Sequence, residues 1–419
     1  MIRPRPPSPP GDGMWARGAT IGGHVLSSAS NLGLQVGLVL TASPQQFGSL
    51  VVLLSVYYMA LALVRAMIGD VLLAEGPDRS ERVWPLLRAR LGVIVGLTVL
   101  AMIVIAMTLA PLALEAALMV WAAPVLLMHE AGRQRAWALQ RPGLALRFDV
   151  IWGLGAIAIG TSLLAIGAAV TPSTLIASWV GGAAMALGWG WAHLASPDGP
   201  PEPVLAVTST NGLGAGGAVL AIDANGLPVA LATAASPVTT GGLRGAGLVF
   251  MPLLTIALGL RFLMLPSLRK GRDEQRIVGV AGRSAGTLAG MAVGYAGLAI
   301  VAASLVPDSW LGPSIVAVEP WLGAAAVVAA TRAITMPLGD AVGLCASART
   351  AMTLRLGAAT VDWVATIGGA LAGGLAGMFI TRAIAAVVVL ILWVVALVVI
   401  ANGADPVAGA ASGDRTVSA

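Results

Sequence analysis

Leu91-Gly92-Val93-Ile94-Val95-Gly96-Leu97-Thr98-Val99-Leu100-Ala101-Met102-Ile103-Val104-Ile105-Ala106-Met107-Thr108-Leu109-Ala110 is a stretch of twenty residues without a single charge. As a helix it rises 1.5 Å per residue and covers about 30 Å, the thickness of a bilayer's hydrocarbon core. It is the greater part of an apolar run, Leu86–Ala110, whose near end carries Arg88 and Arg90, with Arg79 and Arg82 just before it. Charge at one end and none along the rest is the pattern of a membrane-spanning helix.

Working outward, similar runs lie at Ala19–Leu40, Phe47–Leu73, Leu112–His129, Phe148–Val170 and Ser173–Ala195. After a break they resume at Leu213–Ala235, Leu243–Leu268, Ala285–Val306, Trp321–Cys345, Leu356–Phe379 and Ala383–Ile400. The seventh is interrupted by Asn225-Gly226-Leu227-Pro228, where a transporter helix would bend or break. Composition agrees, since 58% of the 419 residues are hydrophobic and 10% are charged. A soluble domain carries about 25% charged residues to meet water over its whole surface. One cysteine, Cys345, excludes an internal disulfide and any cysteine-based metal cluster.

The net charge of +5 reads as topology rather than as nucleic-acid binding. Arg3, Arg5 and Arg17 precede span one, and basic residues then follow the even-numbered spans. They are Arg79, Arg82, Arg88 and Arg90 after span two, and Arg133, Arg135, Arg141 and Arg147 after span four. Arg269, Lys270, Arg272, Arg276 and Arg283 follow span eight, and Arg349 and Arg355 follow span ten. The odd-numbered connections hold only Arg244 and Arg382. Basic connections stay cytoplasmic, so both termini are expected inside. The expected organisation is a proline-rich disordered tail over 1–15, a six-helix lobe over 16–195 and a linker over 196–211. A second six-helix lobe follows over 212–402, then a disordered tail over 403–419. The fold class is all-α integral membrane, about twelve helices as six plus six around a central cleft. Arg65 near the end of span two and Arg261 near the end of span eight mark the repeat, as do Asp149 with Trp152 and Asp362 with Trp363.

Polar residues at depth are the candidates for chemistry, because a charge in hydrocarbon is costly and faces a cavity or a partner. Arg332 and Asp223, in spans ten and seven, form either a buried ion pair or a cavity lining. Arg65 and Arg261 either snorkel to headgroups or turn a forked donor to a phosphate in the cavity. Asp340 and Asp362 are candidates to bind a coupling ion or to cap helix ends. Span one is unusually polar, with His24, Ser27, Ser28, Ser30, Asn31 and Gln35, and is expected to line the cleft. His24 reads as a packing residue or a proton relay. Gly369, Gly373 and Gly377 read as close helix packing. No phosphate-cradling GxxxxGK[ST] occurs, the three histidines lack ligand spacing, and the outer connections are short. Neither catalysis nor a metal or other cofactor is expected.

At Leu40-Thr41-Ala42-Ser43-Pro44-Gln45-Gln46-Phe47-Gly48 the chain resembles the lipid-linked oligosaccharide flippases of the multidrug/oligosaccharidyl-lipid/polysaccharide exporter superfamily. Leu243-Arg244-Gly245-Ala246, Pro252, Leu265-Pro266-Ser267-Leu268 and Gly132-Arg133-Gln134-Arg135 carry the same resemblance. Members often have an arginine near the end of span one, where this chain has Thr41 and Ala42. The resemblance implies alternating access that carries an undecaprenyl-pyrophosphate glycan, such as an O-antigen unit, across the bacterial cytoplasmic membrane. Glycosyltransferases or a polymerase of the same route are the implied partners. Two other readings are a major facilitator-type transporter, whose loop motif Gly76-Pro77-Asp78-Arg79-Ser80-Glu81-Arg82 echoes poorly, and a scaffold for glycan synthesis.

Overall fold

A computed structural model describes residues 12–69, 71–72, 77–108, 113–194, 225–307 and 311–403, and every regular element among them is a helix. The terminal segments, the 196–211 linker and Asp223 lie outside the described residues. The chain divides into two compact units, the first ending at Val229 and the second beginning at Ala230.

The first unit holds α1 (Asp12–Thr41), α2 (Pro44–Val64, continued by a π turn over Arg65–Gly69), α3 (Pro77–Thr108), α4 (Ala113–Ala138), α5 (Pro142–Ala165) and α6 (Pro172–Leu194). α1 thus begins inside the segment expected to be disordered. The helix α7 is described over 225–234. The second unit holds α8 (Pro237–Asp273), α9 (Ile277–Leu305), the short turns Pro313–Val316 and Glu319–Trp321, and α10 (Leu322–Cys345). It ends in one helical stretch, Ala348–Ala401, broken at Gly373 and Gly374.

That break is a full reversal. Gly374 takes a positive φ of 59°, which glycine adopts without steric cost. Beyond it the Thr381 hydroxyl donates to the Ala365 carbonyl at 2.6 Å, and Gly369 lies backbone to backbone against Gly377. The stretch is therefore a hairpin of two antiparallel helices, α11 (348–372) and α12 (375–401). Gly369 and Gly377 are the close-packing glycines expected from the sequence, while Gly373 serves the turn. The reversal comes several residues before the expected gap at 380–382, because the apolar sequence runs through it without a polar break.

Each second helix starts with the same device. Ser43 caps α2 by accepting from the Gln46 N–H while Gln46 reciprocates, with Pro44 in the first turn. Ser236 caps α8 by accepting from the Thr239 N–H, with Pro237 in the first turn.

In the first unit α1 packs on α5 and α6, α2 on α3 and α4, and α4 on α6. α2 is apolar all round and correspondingly buried. Tyr57, Trp152 and Trp179 fill the interior, the Trp152 indole N–H donating to the Trp179 carbonyl at 2.9 Å. In the second unit α10 packs against α8, α9 and the hairpin. Leu268, Ile277, Leu338, Val342, Trp393 and Leu397 close one end of it.

The outward surfaces are those of a protein in lipid. On α3, Val93, Leu97, Leu100, Val104 and Met107 recur at helical spacing and are 55–79% exposed. No water-facing helix carries such a stripe uncovered. Among the described residues eight helical stretches are long and apolar enough to cross a membrane, and one of them, Arg349–Ala401, is the hairpin. The chain is a multi-pass membrane protein. Three connections expected to be basic loops are mostly helix: α3 begins at Pro77, α4 runs on to Ala138, and α8 reaches Asp273.

Candidate functional site

The first unit carries a charged cluster at the junction of α2, α4 and α5. Glu130 of α4 accepts from Arg65 Nε at 2.7 Å, Arg133 Nε at 3.0 Å, Arg133 Nη2 at 2.6 Å and Gln134 Nε2 at 2.7 Å. Arg133 also reaches Asp149 of α5, Nη1 to Oδ2 at 3.5 Å. The spacing of Glu130, Arg133 and Gln134 puts all three on one face of α4. The π turn widens α2 where Arg65 meets Glu130, and Gly69 leaves room there for the Gln134 side chain. Glu130 is 3% exposed, Arg133 1% and Asp149 0%. α1 approaches so closely at Gly23 that a Cβ would lie 2.9 Å from Asp149 Oδ2. Arg65 is the member that reaches the surface, its side chain 46% exposed, while the enclosed Glu130, Arg133 and Asp149 hold the helices together.

The second unit spreads its charges over two places. Arg261 of α8 donates to Asp340 of α10 through both sides of its fork, Nε to Oδ2 at 2.6 Å and Nη2 to Oδ1 at 2.7 Å. Further along α10, Arg332 Nη2 donates to Asp362 Oδ2 of α11 at 2.8 Å. Arg382 of α12 holds the same carboxylate at both oxygens, Nε to Oδ1 at 2.9 Å and Nη2 to Oδ2 at 3.0 Å. The hairpin reversal is what brings Asp362 and Arg382 side by side. Arg332 and Arg382 line an open pocket of about 60 Å³, whose remaining wall is Leu243, Ala246, Gly247, Phe250, Leu254, Ala325, Val328, Ala329 and Phe379. The pocket sets guanidinium groups in an otherwise apolar wall, so a point of positive charge lies beside greasy surface.

The expected residues fall unevenly on these sites. Arg332 lies on the pocket, with Asp362 as its partner there. Arg65 and Arg261 are held by the carboxylates of Glu130 and Asp340 rather than drawn out to headgroups, because a counter-charge is within reach inside each unit. Asp340 and Asp362 lie within helices as ion-pair partners, so neither caps a helix end; the α11 cap is Ser347, accepting from the Thr350 N–H. Gln35 is buried, and its Nε2 donates to the Tyr58 hydroxyl at 3.1 Å and to the Asn31 carbonyl at 3.3 Å. The Asn31 amide donates to the Ser27 carbonyl at 2.8 Å and its oxygen accepts from Tyr58 at 3.5 Å. These two residues thus tie α1 to α2, which corrects the expectation that Gln35 lines a cleft. His24 lies on α1, and its side chain is outside the described residues.

Four residues were missed as site members. Arg133 and Arg382 read as charges of the connections, and Glu130 and Tyr58 were not singled out. The signal for Glu130 and Arg133 was their spacing of three, which places opposite charges on one helix face. For Arg382 no local signal existed.

No protein-family profile matches the sequence, and no characterised protein matches it by sequence. Solved structures do. The chain is similar to "Lipid II flippase MurJ, inward closed conformation", with a TM-score of 0.66 and 12% identity over 94% of this chain and 88% of that one. It is similar to an outward-facing multidrug resistance MATE family transporter of the MOP superfamily, with a TM-score of 0.58 and 11% identity over 92% of this chain and 94% of that one. A MATE protein in complex with MaD3S matches equally well, at 0.58 and 11% over 92% and 95%. The major facilitator reading is therefore set aside, and the chain has the fold of the multidrug/oligosaccharidyl-lipid/polysaccharide exporters.

Proposed function

We propose that this chain is a flippase for a lipid-linked glycan of the undecaprenyl-pyrophosphate class, carrying it across the bacterial cytoplasmic membrane by alternating access. The observation that carries the reading is Arg332, half exposed on an apolar pocket, in a fold similar to that of a lipid II flippase. Such a substrate joins an apolar chain to a dense anion, and moving that anion unaccompanied through hydrocarbon is prohibitive. A guanidinium fork lowers this cost and matches phosphate geometry, which a lysine does not. The same positive wall disfavours a cationic drug. Both termini and the basic connections lie on the cytoplasmic side, with glycosyltransferases of the route nearby. Drive comes from an ion gradient or the membrane potential, about 2.3 kcal/mol per charge per 100 mV.

The deciding experiment is flipping of a fluorescent lipid-linked glycan in liposomes reconstituted with purified protein. Arg332→Ala is expected to abolish it with the protein still folded, and Arg332→Lys to restore it in part. Transport by Arg332→Ala at the wild-type rate would sink the proposal.

A further inference from the structure

We infer that Asp362 is an internal competitor for the anionic headgroup: its carboxylate occupies Arg332 when the pocket is empty and gives that guanidinium up when a phosphate arrives. The inference rests on the flippase reading only for the identity of the headgroup; the competition itself follows from the geometry. Among the described residues, three charged side chains from three helices meet at one junction, two guanidinium groups and one carboxylate. Their bonds are unequal. Arg382 grips both carboxylate oxygens, at 2.9 and 3.0 Å, and its side chain is 8% exposed. Arg332 meets the carboxylate through Nη2 alone, at 2.8 Å, and its side chain is 50% exposed on the pocket wall.

This asymmetry decides which bond gives way. If Arg332 turns to a phosphate, Asp362 keeps two charge-assisted bonds to Arg382, so no buried charge is stranded. The product pairs Arg382 with Asp362 and Arg332 with the phosphate. When the headgroup leaves, the carboxylate is one bond away and replaces it without a counter-ion from solution. A carrier has to bind its cargo and then let it go, and a resident anion at the binding cation weakens the bound state for that purpose. Asp362 therefore sets the residence time of the headgroup, and Arg382 anchors Asp362 in place.

The test is binding of dodecyl phosphate to the purified protein in zwitterionic nanodiscs, with association and dissociation followed separately and inorganic phosphate as the headgroup-only arm. Asp362→Asn is expected to bind dodecyl phosphate at least about tenfold more tightly, chiefly through slower dissociation, because no carboxylate competes with the phosphate for Arg332. Should Asp362→Asn alone fail to fold, the Asp362→Asn/Arg382→Gln double variant decides. It keeps the net charge of the junction, leaves no unpaired buried arginine, and is expected to show the same tightening. Restoring the carboxylate as Asp362→Glu is expected to bring fast release back. Unchanged or weaker binding in the double variant would overturn the inference, since Asp362 would then only prop Arg332. Absence of dodecyl phosphate binding in every form would overturn it too. Equal tightening for inorganic phosphate places the competition at the headgroup alone, as expected. Tightening in the variants without any flipping of a lipid-linked glycan by the wild type would refute the flippase reading and leave the competitor standing.

Discussion

In the first unit an arginine of α2 meets a carboxylate of α4, and an arginine of α4 meets a carboxylate of α5. In the second unit an arginine of α8 meets a carboxylate of α10, and an arginine of α10 meets a carboxylate of α11. The wiring repeats helix for helix. What differs is access. In the first unit Glu130, Arg133 and Asp149 are enclosed and Arg65 reaches the surface, whereas in the second unit Arg332 opens on a pocket. A repeat of this kind separates two uses of the same interactions. An enclosed charge can only hold helices; one that lines a pocket can exchange partners.

The largest expected effect tests that separation directly. Glu130→Ala leaves the buried Arg133 with a 3.5 Å contact to Asp149 and the Trp137 ring beneath its guanidinium, and stranding a buried charge costs about 3–5 kcal/mol. Arg332→Ala removes a half-exposed partner while Arg382 still holds Asp362, and should cost about 1 kcal/mol or less. Thermal unfolding in detergent measures both. Equal losses in the two variants would mean that enclosed and open are not different functions.

A second test asks whether the fifth and sixth helices of each unit also pack alike. Gly182 of α6 sits against the backbone of Trp152 and Ala156 on α5, and Gly369 of α11 against Gly377 of α12. A methyl group has no room at either place, so Gly182→Ala and Gly369→Ala should each lose about 1–3 kcal/mol. Gly290 of α9 meets nothing within 4 Å, and Gly290→Ala should be neutral or slightly stabilising. Loss at only one of the two glycine contacts would show that the likeness between the units stops at the charges.

Much of this architecture was legible, because apolar runs of the right length announce themselves one helix at a time. Arg65 and Arg261 could be matched across the two halves for the same reason, each standing alone near the end of an apolar run. The ion pairs themselves were not legible. Arg133 lies just beyond the run ending at His129 and read as a loop charge, and Glu130 beside that run was not singled out, yet α4 continues through both. Arg382 read as a loop charge because the reversal at Gly373-Gly374 lies inside an uninterrupted apolar stretch. Its partner Asp362 is twenty residues away, and only the turn brings them together. Gln35 misled in the opposite direction: a polar residue in a span suggests a cleft, but a tyrosine on the neighbouring helix satisfies it as well.

The smallest effect compares the two arginines of the second helices. Arg261 is bound at both sides of its fork to Asp340, and among the described residues the Asp340 carboxylate has no other side-chain donor. Arg65 gives one bond, from Nε, to a Glu130 that Arg133 and Gln134 already hold. Lysine keeps the charge and loses the fork. Arg261→Lys should therefore cost about 1 kcal/mol, discounted for a side chain that is 42% exposed. Arg65→Lys should cost roughly half of that or less, since the carboxylate it leaves behind remains fully bonded. Unfolding midpoints of the two variants, measured side by side, give the order. If Arg65→Lys proves the more damaging, the first-unit cluster depends on Arg65 to orient Glu130, and that cluster is a chain of dependent bonds rather than a redundant one.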